Sequence, residues 1–307
     1  MDELEYFQGD DLAASTWRNK YALEGEKNPD DMHKRIAKEL ARVHAKYKDR
    51  KDFLNEEYVY EILKDFKYII LGGSGMEGIG SHKLISLSNC FVIAGPKDDY
   101  ASIMKARAEQ VQLMMRRGGV GWDISGLRPK GAIVHNAAKT SSGAPSFLNV
   151  NSELTKETSQ DGRRGALMQS LDIRHPDIVE FIAAKQDTTK IEGANLSVQV
   201  TDDFIRSAHK KEDYILRWPC DCALDIKALG DLSLYKYGKL YNTNTVTDAD
   251  EPIYIKRVDA GKIWELLMQS AWQAAEPGVL FVDTIHNYSP DGVYPKYRMV
   301  CTNPCGR

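Results

Sequence analysis

The sequence of 307 residues predicts an α/β fold, with an N-terminal helical region followed by parallel strands that alternate with helices. Three observations carry that prediction. Apolar residues recur at helical spacing through the first 70 positions. The texture changes at Leu71, where Gly72, Gly73, Gly75, Gly78 and Gly80 crowd together. Beyond position 166, short apolar alternations and helix-start signals take turns. Apolar residues make up 42% of the chain and charged residues 28%, which excludes disorder as the main state. The net charge of −3 argues against a surface built mainly on nucleic-acid phosphates.

The elements follow in order. Met32, Ile36, Leu40 and Val43 line one face of a helix over 30–47, and 57–70 continues as helix into an apolar patch. A short apolar segment over 84–95 carries Cys90. Residues 101–117 read as a helix that stops at Gly118-Gly119. Residues 166–173 read as a strand, and Pro176 opens a helix that runs to Lys185. Leu196, Val198 and Val200 alternate as in a strand, and Thr201 caps the next helix with Asp202 and Asp203 in its first turn. Residues 263–275 form a helix ended by Pro277-Gly278, and 279–285 form the next strand. Residues 220–251 read as an irregular surface insertion.

No apolar run reaches the length of a membrane span, and the acidic start lacks the apolar core of a signal peptide. The cysteines Cys90, Cys220, Cys222, Cys301 and Cys305 are odd in number and unevenly spaced, unlike a secreted disulfide framework. A cytoplasmic protein without membrane association is therefore expected. Neither Cys220-Asp221-Cys222 nor the Cys301/Cys305 pair has a partner set at zinc-ligand spacing, so no metal site is expected. Gly118-Gly119-Val120-Gly121 fits either a tight helix-to-strand turn or a backbone that approaches an anion. The loop Gln160-Asp161-Gly162-Arg163-Arg164-Gly165 is either a solvated turn or a phosphate grip. Asn303-Pro304-Cys305 suggests one reactive thiol held in a tight turn.

Seven stretches, in order, are similar to the first half of ribonucleotide reductase catalytic subunits. They are Ser88-Asn89-Cys90-Phe91-Val92; Arg117-Gly118-Gly119-Val120-Gly121-Trp122-Asp123 with Leu127-Arg128-Pro129-Lys130-Gly131-Ala132; Arg163-Arg164-Gly165-Ala166; His175-Pro176-Asp177-Ile178; Asn195-Leu196-Ser197-Val198; Glu276-Pro277-Gly278; and Thr302-Asn303-Pro304-Cys305-Gly306. Their wording is closest to the adenosylcobalamin-dependent class. The resemblance implies a ten-stranded α/β barrel around a finger loop, with this chain supplying about the first five strands. On that reading 1–70 is a helical region and 71–307 the first half of the barrel.

The resemblance also implies roles. Cys305 matches the cysteine that becomes a thiyl radical, Asn303 a residue that hydrogen-bonds the ribose, and Cys90 one thiol of the reducing pair. Ser74, Asn89, Gly118 and Gly119 match substrate contacts. Asp98, Arg128, Gln160, Arg163 and Arg164 match an allosteric site for a deoxynucleotide (dNTP) effector. The implied radical source is adenosylcobalamin, or alternatively a ferritin-like metal-containing partner subunit. Implied partners are a ribonucleotide, a thioredoxin-like reductant, a second copy in a homodimer and a C-terminal fragment of the same reductase. Arg307 stands where the family motif continues with a glutamate. A split reductase is thus the expectation, and an inactive nucleotide-binding or regulatory fragment is the alternative. A different thiyl- or glycyl-radical barrel enzyme would have no use for the effector motifs.

Overall fold

The computed structural model describes residues 1–47, 49, 54–158, 165–187, 189–243 and 252–306. The chain divides into two compact units. The first comprises Met1–Asn89 and Arg116–Gly118. It holds the helices α1 (Glu3–Tyr6), α2 (Asp11–Lys20), α3 (Pro29–His44), α4 (Glu56–Leu63) and α5 (Gly73–Gly78). Asp10, Asn28 and Asn55 cap α2, α3 and α4 with side-chain oxygens, and Pro29 takes the first turn of α3, where its missing N–H costs nothing. Trp17, Met32, Ile36, Ala37, Val59 and Leu63 form the core of this unit. The helix expected over 57–70 ends at Leu63, and a short 3-10 turn takes over.

The second unit comprises Cys90–Met115 and Gly119–Arg307. Its main sheet contains β1 (Cys90–Val92), β2 (Gly119–Asp123), β3 (Leu167–Asp172), β4 (Asn195–Val200) and β8 (Gly278–Phe281), all parallel and in that spatial order. Helices α6 (Tyr100–Met114), α7 (Leu148–Glu157), α8 (Ile178–Ala183), α9 (Asp202–Lys210) and α10 (Ala260–Ala274) lie between these strands in sequence. Each strand sits beside its predecessor, so right-handed crossovers all place their helices on the same face. That face is apolar: Val120, Trp122, Leu167, Leu171, Leu196, Val198 and Val200 join Ile103, Leu148, Phe181, Phe204 and Leu267 in the main core. Burying each such side chain stabilises the unit by roughly 1.5–3 kcal/mol. The alternate strand positions, Gly119, Gly121, Asp123, Ser170, Ser197 and Gln199, give the other face a polar and small character.

Several expectations change. The second sheet, β5 (Asp213–Trp218), β6 (Leu240–Thr243) and β7 (Ile253–Asp259), is antiparallel in the order β5-β7-β6, and it brings strand structure into a region expected to be irregular. The last strand, expected over 279–285, stops at Phe281, and α11 (Val282–Tyr288) follows. Helix α6 ends at Met114, and the left-handed residue beyond it is Arg117 rather than a glycine; Gly119 already belongs to β2. Helix α8 begins at Ile178 and not at Pro176; the His175 and Asp177 side chains just before it are committed to the backbone of Leu127 and Lys130. Thr201 occupies the N-cap of α9 without a capping hydrogen bond. Among the described residues no helix is long and apolar enough to cross a membrane.

Candidate functional site

The segment 299–306 crosses the polar face of the main sheet, passing one strand after another. His286 of α11 bonds the Met299 carbonyl at 2.9 Å. Gln199 of β4 donates to the Val300 carbonyl at 3.0 Å. Ser170 of β3 lies 3.4 Å from the Cys301 sulfur. Gly121 of β2 faces Thr302 and Asn303, and Gly119 faces Pro304. Cys305 then meets Cys90 of β1, sulfur to sulfur at 2.9 Å. From β4 to β1 is three strand spacings, about 14 Å, and five residues reach at most about 17 Å even when fully extended, so a segment folded at its tip has little slack.

Each contact has a local cause. A Cβ on Gly121 would lie 1.9 Å from the Thr302 carbonyl oxygen, so only glycine allows this approach. Beside the two readings of the Gly-rich turn, Gly121 has a further use: it admits the backbone of the terminal segment. Asn303 folds the tip. Its Oδ1 accepts from the Cys305 backbone N–H at 2.9 Å, and the Gly306 N–H donates to its carbonyl at 3.0 Å. Its Nδ2 has no partner among the described residues and remains available to an external acceptor. Cys305 is exposed and Cys90 half-buried.

Beneath the segment lies a polar cluster. Asp123 Oδ1 accepts from Ser170 Oγ, Gln199 Nε2 and Ser125 Oγ at 2.8, 2.8 and 2.9 Å. Burial pushes the Asp123 carboxyl up to about 7, against the pull of the serine hydrogen bonds. Burial also raises the Cys301 thiol to about 12, so it stays protonated at neutral pH.

The other expected residues fall as follows. Asp98 and Arg128 pair: the Arg128 backbone N–H and Nε donate to the Asp98 carboxylate at 2.9 and 2.5 Å. Both line a cavity of about 1260 Å³ at the C-terminal ends of β2, β3 and β4, with Asp172, Arg174, Cys220 and His286. Gln160, Arg163 and Arg164 lie outside the described residues, as does Arg307. In the first unit, Asn89 Oδ1 accepts from the Ser74 backbone N–H at 3.0 Å, and the Ser74 hydroxyl is fully buried without a hydrogen-bond partner among the described residues. Gly118 is buried in that unit and follows the left-handed Arg117. His175 is fully buried; its Nε2–H donates to the Leu127 carbonyl at 2.8 Å and its Nδ1 accepts from the Asp177 N–H. Burial holds this imidazole below its ordinary pKa, so it is a neutral strut. No group of three or more His, Cys, Asp or Glu among the described residues is placed to hold a metal ion.

Residues 88–306 match the family model for the ribonucleotide reductase barrel domain. The chain belongs to the ribonucleotide reductase family. Relatives of this chain include vitamin B12-dependent ribonucleoside-diphosphate reductases. That of Thermoplasma acidophilum is 33% identical over 226 residues, covering 73% of this chain and 25% of the relative. That of Mycobacterium tuberculosis is 31% identical over 222 residues, covering 72% and 27%. The ribonucleoside-diphosphate reductase subunit alpha of Helicobacter pylori is 23% identical over 292 residues, covering 93% and 36%. The chain thus spans about a quarter to a third of the length of these relatives. The open five-stranded sheet is part of the family's barrel. Motif reading did not single out Asp123, Ser170, Gln199 or Cys301 for roles in the site. The available signal was the alternation of polar residues within otherwise apolar strands.

Proposed function

We propose that this chain carries the thiyl-forming half of a ribonucleotide reductase site, with Cys305 as the radical cysteine. The observation that carries the reading is the Cys305 sulfur, exposed on an Asn-Pro turn and 2.9 Å from Cys90. In the proposed reaction the Cys305 thiyl takes the 3′ hydrogen of a ribonucleotide and the 2′ hydroxyl leaves as water. Two thiols, one of them Cys90, supply two electrons and two protons and become a disulfide; one proton leaves in the water, the other ends on C2′, and Cys305 returns the hydrogen to C3′ and is a thiyl again. A thioredoxin-like reductant restores them. The free Nδ2 of Asn303 donates to a ribose oxygen. The substrate contacts assigned to Ser74, Asn89, Gly118 and Gly119 are part of the same proposal.

The relatives' names favour a B12 cofactor, adenosylcobalamin, over a ferritin-like partner; when bound it supplies the radical. An exposed Cys305 fits a group brought to it from outside the loop. The cofactor carries its metal in its own ring, so a protein cluster of metal ligands is not needed. The Asp98–Arg128 pair, with Gln160, Arg163 and Arg164, is proposed as the dNTP effector site. The remaining family length, on the same polypeptide or a second one, supplies the other strands and the second reducing thiol.

The test combines the chain with the remaining length of a family catalytic subunit and follows deoxynucleotide formation with and without adenosylcobalamin. Cys305→Ser is expected to abolish turnover, by at least a thousandfold on the scale of losing a covalent catalyst. Full activity in Cys305→Ser would overturn the radical assignment.

A further inference from the structure

Gln199 lies away from both thiols, yet its amide ties the crossing segment to the sheet. Its Nε2 sits 2.8 Å from Asp123 Oδ1, 2.8 Å from Ser170 Oγ and 3.0 Å from the Val300 carbonyl oxygen. Two amide hydrogens thus serve three acceptors, on β2, on β3 and on the segment. Ser170 has one hydroxyl hydrogen and two neighbours that accept it, Asp123 and the Cys301 sulfur. Ser170 is fully buried and Gln199 nearly so, which makes the cluster a built anchor rather than a surface encounter.

We propose that Gln199, backed by Asp123 and Ser170, is a positioning residue that sets the register of segment 299–306 on the sheet, and so decides whether Cys305 reaches Cys90. The need for such an anchor follows from the lack of slack. The segment uses five residue steps, Val300 to Cys305, to pass from β4 to β1, so a slip of one residue at Val300 carries Cys305 up to about 3.4 Å away from Cys90. Gly121 permits the backbone to lie close but donates nothing from a side chain to hold it. His286 grips the carbonyl of Met299 one residue earlier, from a helix rather than from the sheet. Gln199 is thus the described side chain that joins the sheet to the segment's backbone by a hydrogen bond. The purpose of this register, delivery of a reacting thiol, rests on the reading of Cys305 given above. The register itself does not.

The experiment uses the full chain and two readouts that need no turnover. Wild type, Gln199→Met and Ser170→Ala are oxidised with diamide, which takes up two electrons and two protons as the Cys90 and Cys305 thiols become a disulfide. Peptide mass spectrometry follows the cross-link. Amide hydrogen exchange is recorded on the same proteins. In Gln199→Met we expect the Cys90–Cys305 cross-link to form at least tenfold more slowly. Exchange over 300–306 should be about tenfold faster, the effect of losing one or two net hydrogen bonds, while exchange in β2, β3 and β4 stays within twofold of wild type. Ser170→Ala should show the same pattern more weakly. Wild-type cross-linking and loop exchange in Gln199→Met would overturn the inference. So would equal acceleration across loop and strands, because that marks a general loss of packing. If the pattern holds but the completed reductase makes no deoxynucleotide, the positioning stands and the reading of Cys305 fails; the reverse combination separates them the other way.

Discussion

Gly121 is the residue whose side chain, or lack of one, decides the path of the terminal segment. Alanine there would place its Cβ 1.9 Å from the Thr302 carbonyl oxygen, with further backbone atoms at 2.8 and 2.9 Å. No flexible side chain can yield, so either β2 or the segment must move. Gly121→Ala is expected to cost ~1–3 kcal/mol in urea unfolding, within the range of an overpacked core, and to slow Cys90–Cys305 cross-linking. Gly119 is more permissive, because its Cβ would meet Ala166 and Pro304 atoms at 3.4 Å. Asp123 gives a pH signature. Its folded carboxyl sits at about 7 against an ordinary value of 3.8, so the native state binds the proton more tightly than the unfolded chain. Its contribution is therefore fully present below about pH 4, is lost as pH rises to about 7 and is flat above that. The separation corresponds to ~4 kcal/mol at most, less what solvent in the adjoining cavity screens. Urea titrations of wild type and Asp123→Asn from pH 4 to 8 should converge in slope above pH 7. Below it, the wild type alone should lose stability with rising pH relative to the variant.

Between elements, the same side chains that close the core also make it polar at one point. Gln110 of α6 donates to the Asn151 carbonyl and the Thr155 hydroxyl of α7, both at 3.1 Å, and accepts from the Trp122 indole of β2 at 3.2 Å. Gln110→Leu leaves a buried indole N–H without its acceptor and should cost ~1–3 kcal/mol, read as a drop in urea midpoint without a change in slope. Most main-sheet elements were legible because their apolar residues follow a period of two or 3.6 against one apolar face. The antiparallel sheet was not, because β5 and β7 lie either side of the long irregular stretch that hides their pairing. Cys90, Asn303 and Cys305 were legible as motif residues. Gln199 and Ser170 were not, because a polar residue at alternate strand positions reads as facing water. Here that face meets the protein's own terminal segment. The His175-Pro176-Asp177 stretch was legible as a motif, while its work as a buried strut for Leu127 and Lys130 depends on contacts 47 and 48 residues away in sequence.

For the molecule as a whole, the second unit ends its main sheet at β1 on one side and β8 on the other, and each carries an edge with no described strand partner. Tyr288, Val293, Tyr294 and Tyr297 are exposed in the stretch that follows β8. Open parallel edges and exposed aromatic surface favour pairing with further strands. Adding the remaining family length is expected to protect the amides of β8 from exchange and to raise the unfolding temperature with partner concentration, as mass action requires. A complex that forms while Gly278–Phe281 exchange unchanged would place that partner elsewhere. The meeting of Cys90 and Cys305 also has a temporal meaning. It closes a stretch 215 residues long, and contacts so distant along a chain form late in folding, after the nearer strand pairs are laid down. The two thiols are therefore kept apart in a nascent or half-folded chain. Their encounter reports that β1 to β4, the strands the segment crosses, are already in place.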